Sequence, residues 1–203
     1  MYIADTHSDT LFNLSRGMKL EEVDITPARL REGGVTLQVF AMFTGGKGNK
    51  GDYEGIAAAE YAAVKTLKDA GLRQVDAPRE AKPGKICFML SLEGCEVFHK
   101  GLEAVSQWRE RGIRMGALVW NNVNLLGTPA KVNADDGLTD YGVKVVHEMQ
   151  RLGMAVDVSH LNEAGFYDLF RKGHCPPMAS HSCCRTLCDH FRNLTDDQIR
   201  MMI

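Results

Sequence analysis

A chain of 203 residues that is 44% hydrophobic and 25% charged carries enough apolar material for one core, so residues 1–203 are read as a single domain and not as a disordered segment. Its net charge of −2 lacks the basic excess that nucleic acid or an anionic lipid surface demands, and no apolar run approaches the roughly 20 residues of a membrane span. Six cysteines are too few for a disulfide scaffold, and the first residues run straight into a charged cluster, so a cytoplasmic protein with mostly buried, reduced thiols is expected.

The chain opens on Met1-Tyr2-Ile3-Ala4-Asp5-Thr6-His7-Ser8-Asp9-Thr10, which reads as a short buried strand entering an Asp-x-His-x-Asp cluster. Alternation along a strand turns Asp5, His7 and Asp9 to one face. An imidazole and a carboxylate two residues apart at a strand end form half of a divalent-metal site. By itself such a pair reads first as a solvated loop or a local hydrogen-bonded pair, and matching ligands elsewhere must decide.

A polar connector spans 11–34, and the β-branched and aromatic run at 35–44 suits a second buried strand. The glycine-rich stretch 45–51 lacks the Gly-Lys-Ser/Thr ending of a phosphate loop and is read as a flexible loop. Residues 55–70 are alanine-rich and helical, with Gly71 closing the helix. The third strand, 85–92, delivers Ser91 and Glu93 at its end. A helix at 102–111 stops at Gly112, and a fourth strand at 113–120 leads into Asn121-Asn122. After a polar loop at 123–138, Thr139 caps a helix whose Val143, Val146, Met149 and Leu152 recur every three residues. Then come a fifth strand at 154–159 ending in His160, a helix at 163–172 stopped by Gly173, and a short sixth strand at 177–180 ending in His181. Thr195-Asp196-Asp197-Gln198 forms a capping box that starts a last helix.

Strand and helix alternating in this way define a parallel α/β fold, whose ligand sites lie at the C-terminal ends of the strands. His7, Asp9, Glu93, His160 and His181 all fall there. Singly, each has an ordinary reading as a surface carboxylate or a hydrogen-bonded core histidine. Jointly, five nitrogen and oxygen donors converge on one mouth of a barrel. Cys183, Cys184 and Cys188 beside His181 are read as packing residues, because adjacent cysteines point apart.

The segments Asp5-Thr6-His7-Ser8-Asp9, Ser91-Leu92-Glu93-Gly94, Gly137-Leu138-Thr139-Asp140-Tyr141-Gly142, the run from Arg151 to His160, Ser180-His181-Ser182 and Arg192-Asn193-Leu194-Thr195 resemble the membrane (renal) dipeptidase family. The resemblance implies a zinc metallopeptidase of the amidohydrolase group on a TIM-type (β/α)8 barrel. It also implies two Zn²⁺ ions, with His7 and Asp9 on one, His160 and His181 on the other, and Glu93 bridging them. Such a pair of ions suits hydrolysis of a dipeptide through a metal-bridging hydroxide, since Asp9, Glu93 and the hydroxide leave about one positive charge to receive an oxyanion. Asp5 is read as an acceptor fixing a ligand imidazole. Arg192 is expected to clamp the free carboxylate of the substrate, as the arginine of this motif does in the family, with a rim salt bridge as the ordinary alternative.

Two departures from the family pattern bear on function. Animal members carry an active-site histidine after the fourth strand, where this chain has Trp120 followed by Asn121 and Asn122; a hydrogen-bond donor to the substrate is thus either missing or replaced by Asn121 or Asn122, and Trp120 and Asn121 are expected to be substrate-binding residues. The family also continues with two further strands, the last bearing an aspartate that shuttles the proton, so a barrel with about six of its eight strands and no shuttle is expected. The other readings are a binuclear amidohydrolase acting on N-acyl amino acids or cyclic amides, and a catalytically incomplete metal-binding fragment. Dipeptides are the expected small-molecule partners, and a homodimer is compatible with the sequence.

Overall fold

A computed structural model describes residues 1–44, 51–132 and 134–203; most of the glycine-rich stretch read as a flexible loop lies outside the described residues. Two seven-residue strands form the centre of the sheet, β2 (Leu37–Phe43) and β4 (Cys87–Glu93), parallel and paired from Leu37 beside Cys87 to Phe43 beside Glu93. Both are buried on both faces, as the near-continuous apolar sequence of a parallel sheet requires. The register sorts their side chains. Phe40, Met42, Phe88, Leu90 and Leu92 face the helices and join the main core, whereas Leu37, Val39, Ala41, Cys87, Met89 and Ser91 line the opposite face, which ends in Phe43 and Glu93.

Around this pair stand β1 (Ala4–Asp5), β3 (Arg73–Gln74), β5 (Ile113–Ala117) and β6 (Ala155–Asp157), all pairing in parallel in the order β1-β2-β4-β5-β6. Strand β3, absent from the sequence reading, pairs with Cys87 and Phe88, the stretch of β4 that β5 leaves free. Helices α3 (Tyr53–Asp69), α4 (Leu102–Glu110), α5 (Asp140–Arg151) and α6 (Glu163–Arg171) contribute Leu67, Trp108, Val146, Met149, Phe166 and Leu169 to the core. The result is an open, parallel wall of a TIM-type barrel, with β1 and β6 at its two edges. Among the described residues no helix is long and apolar enough to cross a membrane.

Three expectations change. The connector at 11–34 contains two six-residue helices, α1 (Thr10–Ser15) and α2 (Pro27–Glu32), the latter capped by Thr26 with Pro27 in its first turn. The sixth expected strand is reduced to one parallel bridge between Asp157 and Met178. Met178 N–H donates to Val156 C=O at 2.9 Å, and Met178 C=O accepts Val158 N–H at 2.8 Å. Pro176 and Pro177 before it have no N–H to give, and Ser180 N–H after it turns to the Asp157 side chain at 3.0 Å, so no ladder extends. Of the six free cysteines, only Cys87, Cys95 and Cys175 are buried, because Cys183 and Cys188 sit on an exposed loop between His181 and Arg192. The chain ends in α7 (Asp196–Met202), opened by the capping box of Thr195 and Gln198.

Thr139 caps α5, accepting Gly142 N–H at 2.9 Å, while its hydroxyl donates to Leu125 C=O at 2.6 Å and so binds the polar loop to the helix. Gly142 is where the two meet: a methyl group there would lie 1.9 Å from the Leu126 carbonyl oxygen. Gly142→Ala is expected to destabilise the fold by about 1–3 kcal/mol, despite alanine's better helix propensity. A urea midpoint equal to or above that of the parent chain would show that the loop does not hold this close approach.

Candidate metal centre

In register across the sheet, Phe43, Glu93, Ala117 and Asp157 mark the C-terminal ends of four neighbouring strands. Glu93 is the hub. Its two carboxylate oxygens face different partners: Oε2 lies 3.7 Å from His7 Nε2, whereas Oε1 lies 2.7 Å from His160 Nε2 and 3.3 Å from His181 Nε2. Asp9 Oδ1 completes the His7 side at 3.4 Å. Burial alone would raise the Glu93 carboxyl, but the imidazoles packed around it, His160 first among them, outweigh it and hold the group well below the usual carboxylate range. For His7 the balance is similar, since burial is outweighed by Asp9 and Glu93 and its pKa is raised. Burial wins at His160, with Arg192 adding to it, and its pKa is lowered.

The route by which each of these side chains reaches the hub departs from simple alternation. Strand β1 ends at Asp5, so His7 and Asp9 project from the loop that follows it. Asp5 does not fix an imidazole; its Oδ1 accepts the His7 backbone N–H at 3.0 Å and shapes that loop. His160 lies three residues beyond β6, in a turn closed by Leu161 N–H to Val158 C=O at 3.0 Å, with φ of 72°. That left-handed conformation is rare outside glycine and costs a β-carbon about 1 kcal/mol, and here it swings the imidazole back over the sheet towards Glu93. His181 follows the Met178 bridge, and its ring stacks on His7 with centroids 3.9 Å apart.

A pocket of about 450 Å³ is lined by all five of these residues together with Phe12, Phe43, Trp120 and Asn121. A larger hollow of about 760 Å³, between residues such as Lys131, Tyr167, Arg185 and Phe191, contains none of the five. Phe12, Phe43 and Trp120 form an edge-to-face aromatic wall, with centroids 5.6 Å and 4.7 Å apart in turn. Asn121 Oδ1 is 3.2 Å from His160 Nδ1, and Arg192 Nη1 lies 3.0 Å from both ring nitrogens of His160. Arg192 Nε is buried without a hydrogen-bond partner, so the guanidinium has donor capacity in reserve beside the pocket. The sequence reading placed Phe43 only in the second strand and Phe12 only in the connector, and neither was read as a site residue.

Behind the wall, Glu60 of α3 is fully buried and accepts one bond, from Phe43 N–H at 2.7 Å, leaving its other oxygen without a partner. Burial pushes its carboxyl up to about 8, with the Phe43 bond opposing and the charges of Asp9 and Glu93 adding. The folded chain thus keeps a proton that the unfolded chain releases near 4.5, so stability is expected to fall by at most about 1.4 kcal/mol per pH unit between about 4.5 and about 8. Glu60→Gln should flatten that slope and unfold later than the parent chain at neutral pH. Identical pH profiles of thermal unfolding in the two proteins would mean that Glu60 is not held neutral.

Three imidazoles and two carboxylates, with no thiolate among them, suit a borderline divalent cation such as zinc, and the ligand atoms of His7, Glu93 and His181 lie within 4.8 Å of one another. Parallel strands presenting such donors at their C-terminal ends are the framework of a metal-dependent TIM-type hydrolase. The sequence model described as membrane dipeptidase (Peptidase family M19) matches residues 1–203, and the chain belongs to that family. It is 28% identical to an uncharacterized dipeptidase of Schizosaccharomyces pombe over 98% of this chain and 56% of that protein. It is 32% identical to a dipeptidase of Aspergillus oryzae over 59% of this chain and 29% of that one. The chain thus spans about half the length, or less, of the curated relatives it matches. Among solved structures, a metallopeptidase of Rhodobacter sphaeroides bound to a phosphinate mimic of the dipeptide L-Ala-D-Ala superposes with a TM-score of 0.87, covering 100% of this chain and 71% of that one at 23% identity. A dipeptidase described as a metallopeptidase of family M19 superposes at 0.86, also at 23% identity, covering 69% of its chain.

Proposed function

We propose that this chain is a zinc-dependent dipeptidase. The observation that carries the reading is the division of labour at Glu93, whose Oε2 faces His7 and Asp9 while Oε1 faces His160 and His181. A carboxylate so placed serves as a bridge between two ions, with His7 and Asp9 holding one and His160 and His181 the other. Two zinc ions bound there supply Lewis acidity and a water acidified towards neutral pH. The chain's own residues bind and orient the substrate. Arg192 receives the substrate carboxylate, Asn121 offers an amide to its backbone, and Phe12, Phe43 and Trp120 exclude water from the reacting face. Residues 1–203 act as one unit of the barrel.

The proposal includes a cytoplasmic location, which six free thiols support, and a homodimer as the form to look for by light scattering. The two sequence-based alternatives differ from it in measurable ways. Zinc content of the purified chain should be measured first, then turnover of a panel of free dipeptides against N-acyl amino acids and cyclic amides. Two zinc ions per chain with dipeptide cleavage support the reading. Faster turnover of acyl amino acids replaces it with the broader amidohydrolase, and zinc binding without turnover of any substrate replaces it with a metal-binding fragment.

A further inference from the structure

A connected set of hydroxyl groups stands directly behind His181, and nothing in the site described so far uses it. Ser180 Oγ is 2.7 Å from His181 Nδ1 and makes a short hydrogen bond to Asp157 Oδ2. The other oxygen of Asp157 accepts the backbone N–H groups of Ser159 at 2.9 Å and Ser180 at 3.0 Å. Ser159 Oγ in turn accepts the His181 backbone N–H at 3.1 Å, and Thr6 Oγ1 donates to the Ser180 carbonyl at 2.7 Å.

Ser159 Oγ, 3.3 Å from Ser180 Oγ and 3.4 Å from Ser182 Oγ, can donate to either, but the contacts of Ser180 itself are all satisfied by one placing of its own proton. A carboxylate accepts only, so the Ser180 hydroxyl gives its single proton to Asp157. Ser180 Oγ is then an acceptor towards His181, which must carry its proton on Nδ1. Nε2 is left with a lone pair, and that is the atom 3.3 Å from Glu93 Oε1. Two lone pairs so close repel unless a cation lies between them. The imidazole is thus both aimed and set in its ligating tautomer by groups that never touch the ion.

We propose that Asp157 and Ser180 are positioning residues that act through His181, fixing its Nδ1–H tautomer and its direction towards Glu93. The proposal rests on the reading of His181 as a zinc ligand. The hydroxyl is necessary as a single-proton relay: alanine removes it, threonine retains it. An asparagine at 157 presents an amide donor to Ser180, so the serine proton turns to His181 Nδ1 and drives the imidazole proton to Nε2. The same logic makes the backbone bonds of Asp157 structural and its Oδ2 functional.

The test uses the whole chain, with Ser180→Ala, Ser180→Thr and Asp157→Asn. Zinc affinity is measured by chelator competition, and imidazole tautomers by ¹⁵N NMR of the metal-free protein at a pH that leaves the imidazoles neutral. Ser180→Ala is expected to weaken one of the two zinc ions by about 10- to 100-fold, the usual effect of losing a hydrogen-bond partner behind a ligand, with the other ion held as before. Ser180→Thr should bind within about threefold of the parent on the same scale. Asp157→Asn should move His181 to the Nε2–H form. Wild-type zinc affinity in Ser180→Ala, or an unchanged Nδ1–H signal in it and in a folded Asp157→Asn, would overturn the proposal, as would equal losses in the alanine and threonine variants. If Asp157→Asn does not fold, the two serine variants decide by themselves. A parent chain that binds no zinc refutes the metal reading instead, and the tautomer measurement then still tells whether Ser180 sets His181.

Discussion

On the proposed two-zinc reading, exchanging Glu93 for glutamine is expected to lower the zinc content from two ions per chain to one or none and to reduce any peptide hydrolysis by roughly 10³-fold or more, the scale of the several kcal/mol that bound metal contributes. The substitution keeps the volume of the side chain and removes one charge. One of its two ends becomes an NH₂ group, a donor without a lone pair, so whichever ligand set it faces, His7 with Asp9 or His160 with His181, loses its shared oxygen. The single-site variants are expected to be asymmetric. His7→Ala should empty chiefly one position, and His160→Ala or His181→Ala the other. Elemental analysis of the four proteins side by side is the measurement. Two ions retained in Glu93→Gln would remove Glu93 from its bridging place.

A lysine at position 192 is expected to lower kcat/KM for free dipeptides by about 10- to 100-fold, the effect of one charge-assisted hydrogen bond of about 1.5–3 kcal/mol. C-terminally amidated dipeptides should be affected far less, because they have no carboxylate for the guanidinium to grip. Arg192 lies against the ring of His160 at 3.0 Å, so a loss of position alone would disturb His160 and affect both substrate classes alike. The comparison of the two classes therefore separates recognition from support. Equal losses on free and amidated substrates would assign Arg192 to the support of His160.

The strands at the centre of the fold were legible because they are long and buried on both faces: the runs at 35–44 and 85–92 contain β2 and β4 nearly whole. At the edges the pattern is too short to read. Strand β1 has two residues and β3 has two, so periodicity offers no signal, and β3 exists only because β4 begins before β5 joins it. Helix α1 escaped notice because six residues can carry only a couple of core side chains, Thr10 and Leu11. In the site, the residue types marked five donors as candidates, and the structure brings all five to one pocket. What they did not disclose was the path: the left-handed turn at His160, the use of Asp5 by the backbone, and the aromatic wall depend on three-dimensional neighbours. Arithmetic on alternation placed Asp5 with His7, but the register sets Asp5 beside Gln38, which is on the face opposite Glu93.

The hydrogen bond from Thr6 to the Ser180 carbonyl joins residues 174 positions apart. During synthesis the first of them leaves the ribosome long before the second, at rates near 5–20 residues per second, so the opening segment waits roughly ten seconds or more for its partner. Two residues of β1 are poor insurance over that interval. The His7 loop therefore has no settled place until the last third of the chain has arrived, and capture of a cation becomes one of the closing events of folding, a late lock on a wall whose middle was built first.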